Sequence, residues 1–518
     1  MKKQTSPLAA PPAIIIATLL LGLLLAACTT SSMQEELIEL PVTQARPPAS
    51  KGILADIAND VIKQHGGDHS GFKLLDRSHD GLLWRLALID SAVSSLDIQT
   101  YLWYPDNSGR LILERAVLAA KRGVHVRMII DDLLTAGNDQ VITELQNHPN
   151  IEFVLFNPWR ERGNLGSRAA EAIAEMERLN TRMHNKMVIA DGNGVVIGGR
   201  NIGDHYFGLS HDYNFHDLDL LGFGHIARQT NEVFDSFWNS EWVVSAKNLT
   251  KSPDPEFARK KWREIKEKNR GAQELRSFPS EVKNWGAELA GVRETLRFGT
   301  SYLGADTASA EKIEHTMRAT MFSFLNKAEK EVLITNAYLV PGQPAIDFFK
   351  ELSDRGVKIK ILTNSLASHD VPAVNSHYSK WRDELLNAGV ELYELRADAQ
   401  ISSLVNVPPV QGEFTGLHTK SAVIDRQHVF VGSMNFDPRS SNINTEMGAF
   451  VHSPALAEDL AQIMLRDMGG ENAWQVTFAS DGKISWSNSD ETVSEQPARN
   501  SMQRVMDIIF KVVPKEQY

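Results

Sequence analysis

Two distant stretches of this chain run through an apolar segment, a polar turn and a second apolar segment in the same order. Lys186 to Ala190 reads as a strand, Asp191-Gly192-Asn193-Gly194 as a turn, and Val195 to Ile197 as the returning strand. Ser421 to Ile424, Asp425-Arg426-Gln427 and Val429 to Val431 repeat that order. A longer unit lies upstream of each. Ser95 to Trp103 predicts a strand, Leu111 to Lys121 a helix, and Gly123 to Asp131 a second strand. Glu331 to Leu339, Ala345 to Ser353 and Arg355 to Leu362 form the same series, with Gly356 in the place of Gly123. Each glycine precedes its hairpin by nearly the same interval, so a whole half repeats and not only its hairpin. Strand, helix, strand with a helical crossover calls for a parallel or mixed sheet with helices outside it. The expected fold class is α/β: two similar sandwich halves related by a pseudo-twofold, with one site at their interface.

The remaining segments read more plainly. The expected organisation is 1–27 as a signal peptide, 28–50 as a tether, 51–243 as the first half, 244–311 as a linker or insertion, 312–484 as the second half, and 485–518 as a polar stretch with a C-terminal helix. The tether is rich in Thr, Ser and Pro. Ala55 to His65 predicts an amphipathic helix. An Ala/Glu-rich helix from Arg168 to Leu179 crosses over to the first hairpin, as a roof or as plain packing. Phe257 to Lys266 is a basic helix, read as a solvated face in preference to a headgroup contact. Asp370 and His377 fall in an expected loop. Met502 to Val513 is an amphipathic helix whose apolar Val505, Ile508, Ile509 and Val512 are expected to dock on their own domain.

The hairpins also carry the candidate chemistry. His184, Lys186, Asp191, Gly198 and Asn201 recur as His418, Lys420, Asp425, Gly432 and Asn435 at identical offsets. Side chains alternate across a strand, so His and Lys two apart share a face. Asn, arriving past the glycines on the return strand, can join them. Each half then offers a nucleophile or acid with two phosphate-oxygen donors. Two such halves suit a double displacement at a phosphodiester, in which one imidazole attacks phosphorus and the other protonates the leaving oxygen. The lysines and asparagines would stabilise charge on the non-bridging oxygens. This chemistry calls for no metal or cofactor, and no metal-ligand cluster is legible. An imidazole in such a role needs a carboxylate to orient it. Asp217 and Glu446 stand at similar distances beyond each Asn. Arg200 is a further candidate phosphate contact or a surface partner.

These residues resemble the phospholipase D superfamily, whose HxKxxxxD motif occurs twice in most members. The resemblance spans nearly all of the chain after the signal. It implies His184 and His418 as the nucleophile and acid pair, with His184 favoured as nucleophile. It implies Lys186, Lys420, Asn201 and Asn435 as phosphate-binding residues, and Asp217 and Glu446 as histidine-orienting ones. Asp191 and Asp425 belong to the same catalytic motif, but they sit in turns at an odd offset from His and are read as structural. Arg182-Met183-His184-Asn185-Lys186, Gly198 to Asp204 and His216 to Leu220 look most like the C-type bacterial cardiolipin synthases. That implies a phosphatidyltransferase making cardiolipin from phosphatidylglycerol and a second phospholipid through a phosphohistidine. Phospholipid hydrolysis to phosphatidic acid and a phosphodiesterase nuclease are the alternatives. All eight His, Lys, Asp and Asn positions are intact, which argues against an inactive scaffold.

Composition narrows the partners. The chain of 518 residues has a net charge of −11, which disfavours nucleic acid as a partner. Membrane phospholipids are the expected partners, and the sequence names no accessory protein. At the N-terminus, Lys2-Lys3 precede an apolar run from Ile14 to Leu25, too short to span a bilayer comfortably. The run ends in Leu25-Ala26-Ala27-Cys28, and Cys28 is the sole cysteine. This resembles a bacterial lipobox, which implies cleavage before Cys28 and lipidation of its thiol. Thr29 follows where an Asp would retain a lipoprotein at the inner membrane. The implied location is the periplasmic side of the envelope, with the outer membrane favoured. Cys28→Ala is expected to abolish lipidation and release the protein from membranes on fractionation. Recovery of the unsubstituted protein soluble and unacylated from its native cell would refute the anchor.

Overall fold

Among the described residues of this computed structural model, eighteen strands hydrogen-bond into one continuous sheet and four more form two separate pairs. The structure describes residues 42–510 except 136, 163–164, 250–253 and 310–311. The signal peptide, Cys28 and Val512 therefore lie outside the described residues. The first half supplies β1 (His69–Leu75), β2 (Ser95–Thr100), β3 (His125–Asp131), β4 (Ile151–Phe156), β5 (Met187–Ala190), β6 (Gly194–Gly198), β7 (Tyr213–His216), β8 (Asp219–Gly224) and β9 (Val243–Ser245). The second begins with β10 (Arg297–Ala305), β11 (Thr307–Ala308) and β12 (Ile313–Glu314). It continues with β13 (Glu331–Asn336), β14 (Lys358–Asn364), β15 (Val390–Leu395), β16 (Phe414–Leu417), β17 (Lys420–Ile424), β18 (His428–Gly432) and β19 (Met447–His452). It closes with β20 (Ala473–Phe478), β21 (Ile484–Ser487) and β22 (Thr492–Val493).

The order across the sheet reveals the symmetry. From its outer side inward the first half runs β4-β3-β2-β5-β6-β8-β1. The second runs β15-β14-β13-β17-β18-β19-β10. In each half the three outer strands of that series are parallel, joined by helical crossovers, and the rest are antiparallel. β9 adds to β4, and β20 to β15, at matching places. β1 and β10 meet antiparallel in the middle, with His69 opposite Thr300 and Phe72 opposite Arg297. The local twofold passes between them. Each half has its own buried cluster, such as Leu96, Ile98, Met128 and Phe153 in the first and Val332, Ile334, Ile361 and Leu392 in the second.

Several expectations need amendment. The stretch 244–311 is more than a linker, because it contains β10, which binds the two halves. The end of the expected tether lies against the first half: Thr43 N donates to Asn239 Oδ1 (3.0 Å) and Ala45 N to Asp235 Oδ2 (2.7 Å). The crossover helix is two helices, Leu165–Ala174 and Met176–Asn180. His377 lies in the helix Pro372–Tyr378, not in a loop. The basic helix is Pro255–Gly271, with Trp262 against the first core and Asn269 donating to Glu114 (2.7 Å). The C-terminal helix, described as Ser501–Phe510, does not dock by its apolar face. Val505, Ile508 and Ile509 are exposed, and Gln503 and Asp507 are its buried positions.

Asp191 and Asp425 hold the two hairpins to the sheet. Both adopt left-handed backbone, with φ of 56° and 51°, a conformation that Asp tolerates better than most residues. The Asp191 carboxylate accepts from the amides of Val93 (3.0 Å), Ser94 (2.7 Å) and Ser95 (3.1 Å). Asp425 accepts from Glu329, Lys330 and Glu331, each at 2.8 Å. Each aspartate thus fixes the start of the first parallel strand of its half. Both sit beyond the far end of the strand that follows the motif histidine, roughly 20 Å away along an extended chain. The structure gives them a structural position, although the motif groups them with the catalytic residues. Asp191→Ala or Asp425→Ala is expected to destabilise the protein by about 2–4 kcal/mol, since three amides lose a charged acceptor. Turnover per folded molecule should change little. Denaturant midpoints together with activity of the folded fraction check this, and unchanged stability would refute it.

Candidate active site

The histidines lie just before β5 and β17, where chain from one half meets chain from the other. His184 N donates to Thr445 O (3.0 Å) and Thr445 N to Arg182 O (2.9 Å). His418 N donates to His216 O (2.8 Å), extending the parallel pairing of β7 with β16. Thr445 precedes Glu446, and His216 precedes Asp217. Each histidine is therefore carried to the carboxylate of the opposite half by main-chain bonds. A second pair of side chains fixes the residue before each histidine. Asp131, at the end of β3, accepts from Met183 N (2.9 Å), and Asn364, at the end of β14, accepts from Leu417 N (2.9 Å).

The side-chain contacts cross over in the same way. His184 Nδ1 lies 3.0 Å from both Glu446 oxygens. His418 Nδ1 lies 2.6 Å from Asp217 Oδ2. The carboxylates thereby engage Nδ1 of each ring and not Nε2. Lys186 Nζ donates to His184 O (2.6 Å), and Lys420 Nζ to His418 O. All six groups are buried. Tyr101 stands edge-on to His184 with ring centres 5.1 Å apart and under Lys186, and Tyr338 stands in the same relation to His418 (6.3 Å) and Lys420. Tyr338 Oη donates to Asp370 (2.9 Å). Asn201 Oδ1 accepts from Leu102 N (3.3 Å). Asn435 Oδ1 is buried without a partner among the described residues.

Burial and two neighbouring ammoniums set the protonation states. Burial, then Lys186 and Lys420, holds His184 well below an ordinary imidazole. Burial, with Lys420 beside it, brings His418 down to about 4. Burial lowers Lys186 well below its usual range and takes Lys420 to about 8. The two carboxylates part company. Burial pushes Glu446 up to about 8 against the pull of Lys186. Burial would raise Asp217 too, but the His418 ring and its hydrogen bond outweigh it and hold the carboxyl below its ordinary value. The half-sites differ in one more respect. Ser433 Oγ donates to Glu446 Oε2 (2.5 Å). A side chain at the matching Gly199 would meet Asp217 Oδ1 at 2.3 Å from its Cβ, so only glycine fits there.

The structure thus brings together His184, Lys186, Asn201, Asp217, His418, Lys420, Asn435 and Glu446. Asp191 and Asp425 stand apart. Arg200 is no phosphate contact, because its guanidinium is buried against Asp219 (3.1 Å) and Leu75 O (2.8 Å). Sequence reasoning missed Tyr101, Tyr338, Asp131 and Asn364. Their signal was their matched place in the repeat, at the ends of corresponding strands.

Known proteins carry the same organisation. The family described as "Cardiolipin synthase, PLD-like domain" matches residues 86–238 and 321–468. Cardiolipin synthase C of Escherichia coli K12 is 33% identical over 476 residues, covering 89% of this chain and 99% of that one. An uncharacterised protein of Helicobacter pylori is 31% identical over 462 residues, covering 87% and 90%. The crystal structure of phosphatidylserine synthase from Haemophilus influenzae shares the fold, with a TM-score of 0.50 at 14% identity over 79% of this chain and 90% of that one. Each matched segment contains one histidine–lysine half-site, and the chain belongs to the phospholipase D-like family of the cardiolipin synthases.

Proposed function

We propose that the protein is a membrane-anchored phosphatidyltransferase that makes cardiolipin from phosphatidylglycerol and a second phospholipid through a phosphohistidine. The observation that carries this reading is the crossed pairing of two buried imidazoles with carboxylates, beside two lysines. A double displacement at phosphorus needs one imidazole with a free lone pair and one with a proton to give. Asp217, held ionised, accepts a hydrogen bond from the Nδ1–H of His418 and leaves its Nε2 lone pair free. The His184–Glu446 pair carries one proton more, because burial keeps Glu446 protonated up to about pH 8. On this reading His418 attacks and His184 protonates, the reverse of the order favoured from the sequence.

In the first step the His418 Nε2 lone pair forms the N–P bond. The P–O bond to the donor headgroup breaks, and the departing oxygen takes a proton from His184 Nε2. In the second step His184 Nε2 accepts the proton of a primary hydroxyl of phosphatidylglycerol. That oxygen bonds to phosphorus as the N–P bond breaks. Lys186, Lys420, Asn201 and Asn435 hold the non-bridging oxygens. Burial of the site supports transfer over hydrolysis by limiting water. So does an apolar cavity of about 160 Å³ lined by Met321, Phe322, Phe348 and the two chain neighbours of Asn435, Met434 and Phe436, and suited to part of an acyl chain. The relative named cardiolipin synthase C supports the same product. Lipidation of Cys28 would hold the site at the periplasmic face of a membrane, the outer one in preference.

His184→Ala and His418→Ala are each expected to lower turnover by about a thousandfold or more. Near-full activity in either would sink the single-site mechanism, and mapping the trapped phosphohistidine identifies the nucleophile. The pH profile of kcat should be bell-shaped. His418 is neutral above about 4, so the rate climbs through that pH. Lys420 and the Glu446 pair lose their protons near 8, so the rate falls there. A rate still rising well above pH 8 would contradict this. In vesicles containing phosphatidylglycerol, with and without phosphatidylethanolamine, cardiolipin should be the main product by mass spectrometry. Phosphatidic acid without cardiolipin under every donor mixture would leave a phospholipase instead.

A further inference from the structure

Two helices turn their apolar sides outward beside the site. In Ser501–Phe510 the buried positions are Gln503 (7% exposed) and Asp507 (5%), four residues apart and so on one face. Gln503 Nε2 donates to Leu366 O (2.9 Å), and Asn375 Nδ2 donates to Asp507 Oδ1 (2.7 Å). The opposite face presents Met502 (65% exposed), Val505 (49%), Ile508 (64%) and Ile509 (52%). The helix Leu165–Ala174 has the same inversion. Its Glu171 is buried and accepts from Arg160 N (2.9 Å), Glu161 N (2.8 Å) and Arg178 (2.7 Å). Ile173 is 82% exposed, and Met176 just beyond is 58% exposed. An amphipathic helix that serves only its own fold buries the apolar side; both of these bury the polar one.

Each helix is linked by short stretches of chain and hydrogen bonds to one side of the site. The loop that receives Gln503 runs on through His369 to Asp370, the acceptor of the Tyr338 hydroxyl, and Tyr338 stands against His418. On the other side the chain leaves Met176–Asn180 to reach His184 within a few residues. There Arg439 Nη1 donates to Asn180 Oδ1 (2.7 Å). We propose that these two outward faces dock the protein on a lipid bilayer, so that phospholipid enters the site from the membrane plane. The inference rests on the phosphatidyltransferase reading for its choice of partner. Each face is a few side chains wide, a small patch. A specific protein interface needs about 800 Å² per partner. A bilayer accepts a small apolar face whatever its outline. The lysine-rich helix Pro255–Gly271 has no such inversion, since its buried position is Ala258.

The test uses the full-length protein on two forms of one substrate. These are vesicles of phosphatidylglycerol with phosphatidylethanolamine, and short-chain phosphatidylglycerol dispersed as monomers. Replacing Val505, Ile508 and Ile509 together by Asp should lower turnover on vesicles by about tenfold or more and leave turnover on monomers within about twofold. A second variant with Ser at the same three positions should show the same split more weakly. Ile173→Asp with Met176→Asp should act in the same direction. Equal turnover on vesicles, or equal loss on both substrates, would overturn the proposal. A readout without catalysis separates it from the functional reading. Amide exchange across 501–510 and 165–176 in the His184→Ala protein should slow when vesicles are added. Slowing that depends on protein concentration without lipid would mean that a second copy covers the faces, and would overturn the proposal. Slowing on vesicles, with the unsubstituted protein turning over neither substrate, would uphold the surface and refute the transferase.

Discussion

Each imidazole of the site is oriented by a carboxylate from the other half of the chain, and the architecture serves that crossed contact. Neither half contains a complete histidine–carboxylate pair. Hydrogen bonds of 2.6–3.0 Å tolerate little displacement, so the halves must stay in register to a fraction of an ångström. Three sets of main-chain bonds supply that register. β1 and β10 fuse the two sheets, β7 pairs with β16, and Thr445 bridges to the residues beside His184. Cutting only the carboxylate contact would leave a buried, misoriented ring. Separating the halves would expose the chemistry to water altogether.

The site gathers two lysines, two histidines and two carboxylates out of solvent, which costs several kcal/mol per uncompensated charge. Part of that cost is met by neutralising groups. Burial drives protons off the imidazoles and weakens the ammoniums, and it keeps one carboxyl protonated. The remainder is carried by the two hydrophobic cores, which hold the framework whatever the site does. The same pressure that makes the pocket expensive to assemble therefore makes its groups reactive near neutral pH.

The repeated halves, the parallel strands with crossovers, and the group of His, Lys and Asn could be read from the sequence because the repeat fixes their offsets. Asp217 and Glu446 were visible as partners. Their exchange between halves was not, since an offset within one half says nothing about which ring lies across the seam. β10 escaped notice because Arg297-Phe298-Gly299-Thr300-Ser301 lacks a clear alternation, and it is a strand by virtue of lying between β1 and β19. The C-terminal helix teaches a similar lesson. Periodicity distinguishes its two faces, but only Leu366, Asn375 and Ser376 reveal which one turns inward. Arg200 stood open between a phosphate contact and a surface pair until burial against Asp219 accounted for its charge.

One consequence follows from having a single free nitrogen on each ring. In the proposed mechanism, with His418 bonded to phosphorus, only His184 would remain to handle the oxygen on the far side. The departing headgroup and the incoming lipid alcohol would then pass through the same place in turn. An enzyme of that kind would work by substituted-enzyme exchange and have no directional preference of its own. The small alcohol it released would also be a competing acceptor that returned the intermediate to starting lipid. Net synthesis would depend on that alcohol diffusing into the surrounding water while the lipid product stayed in the bilayer, so the partition of products between two phases would set the direction that the active site does not.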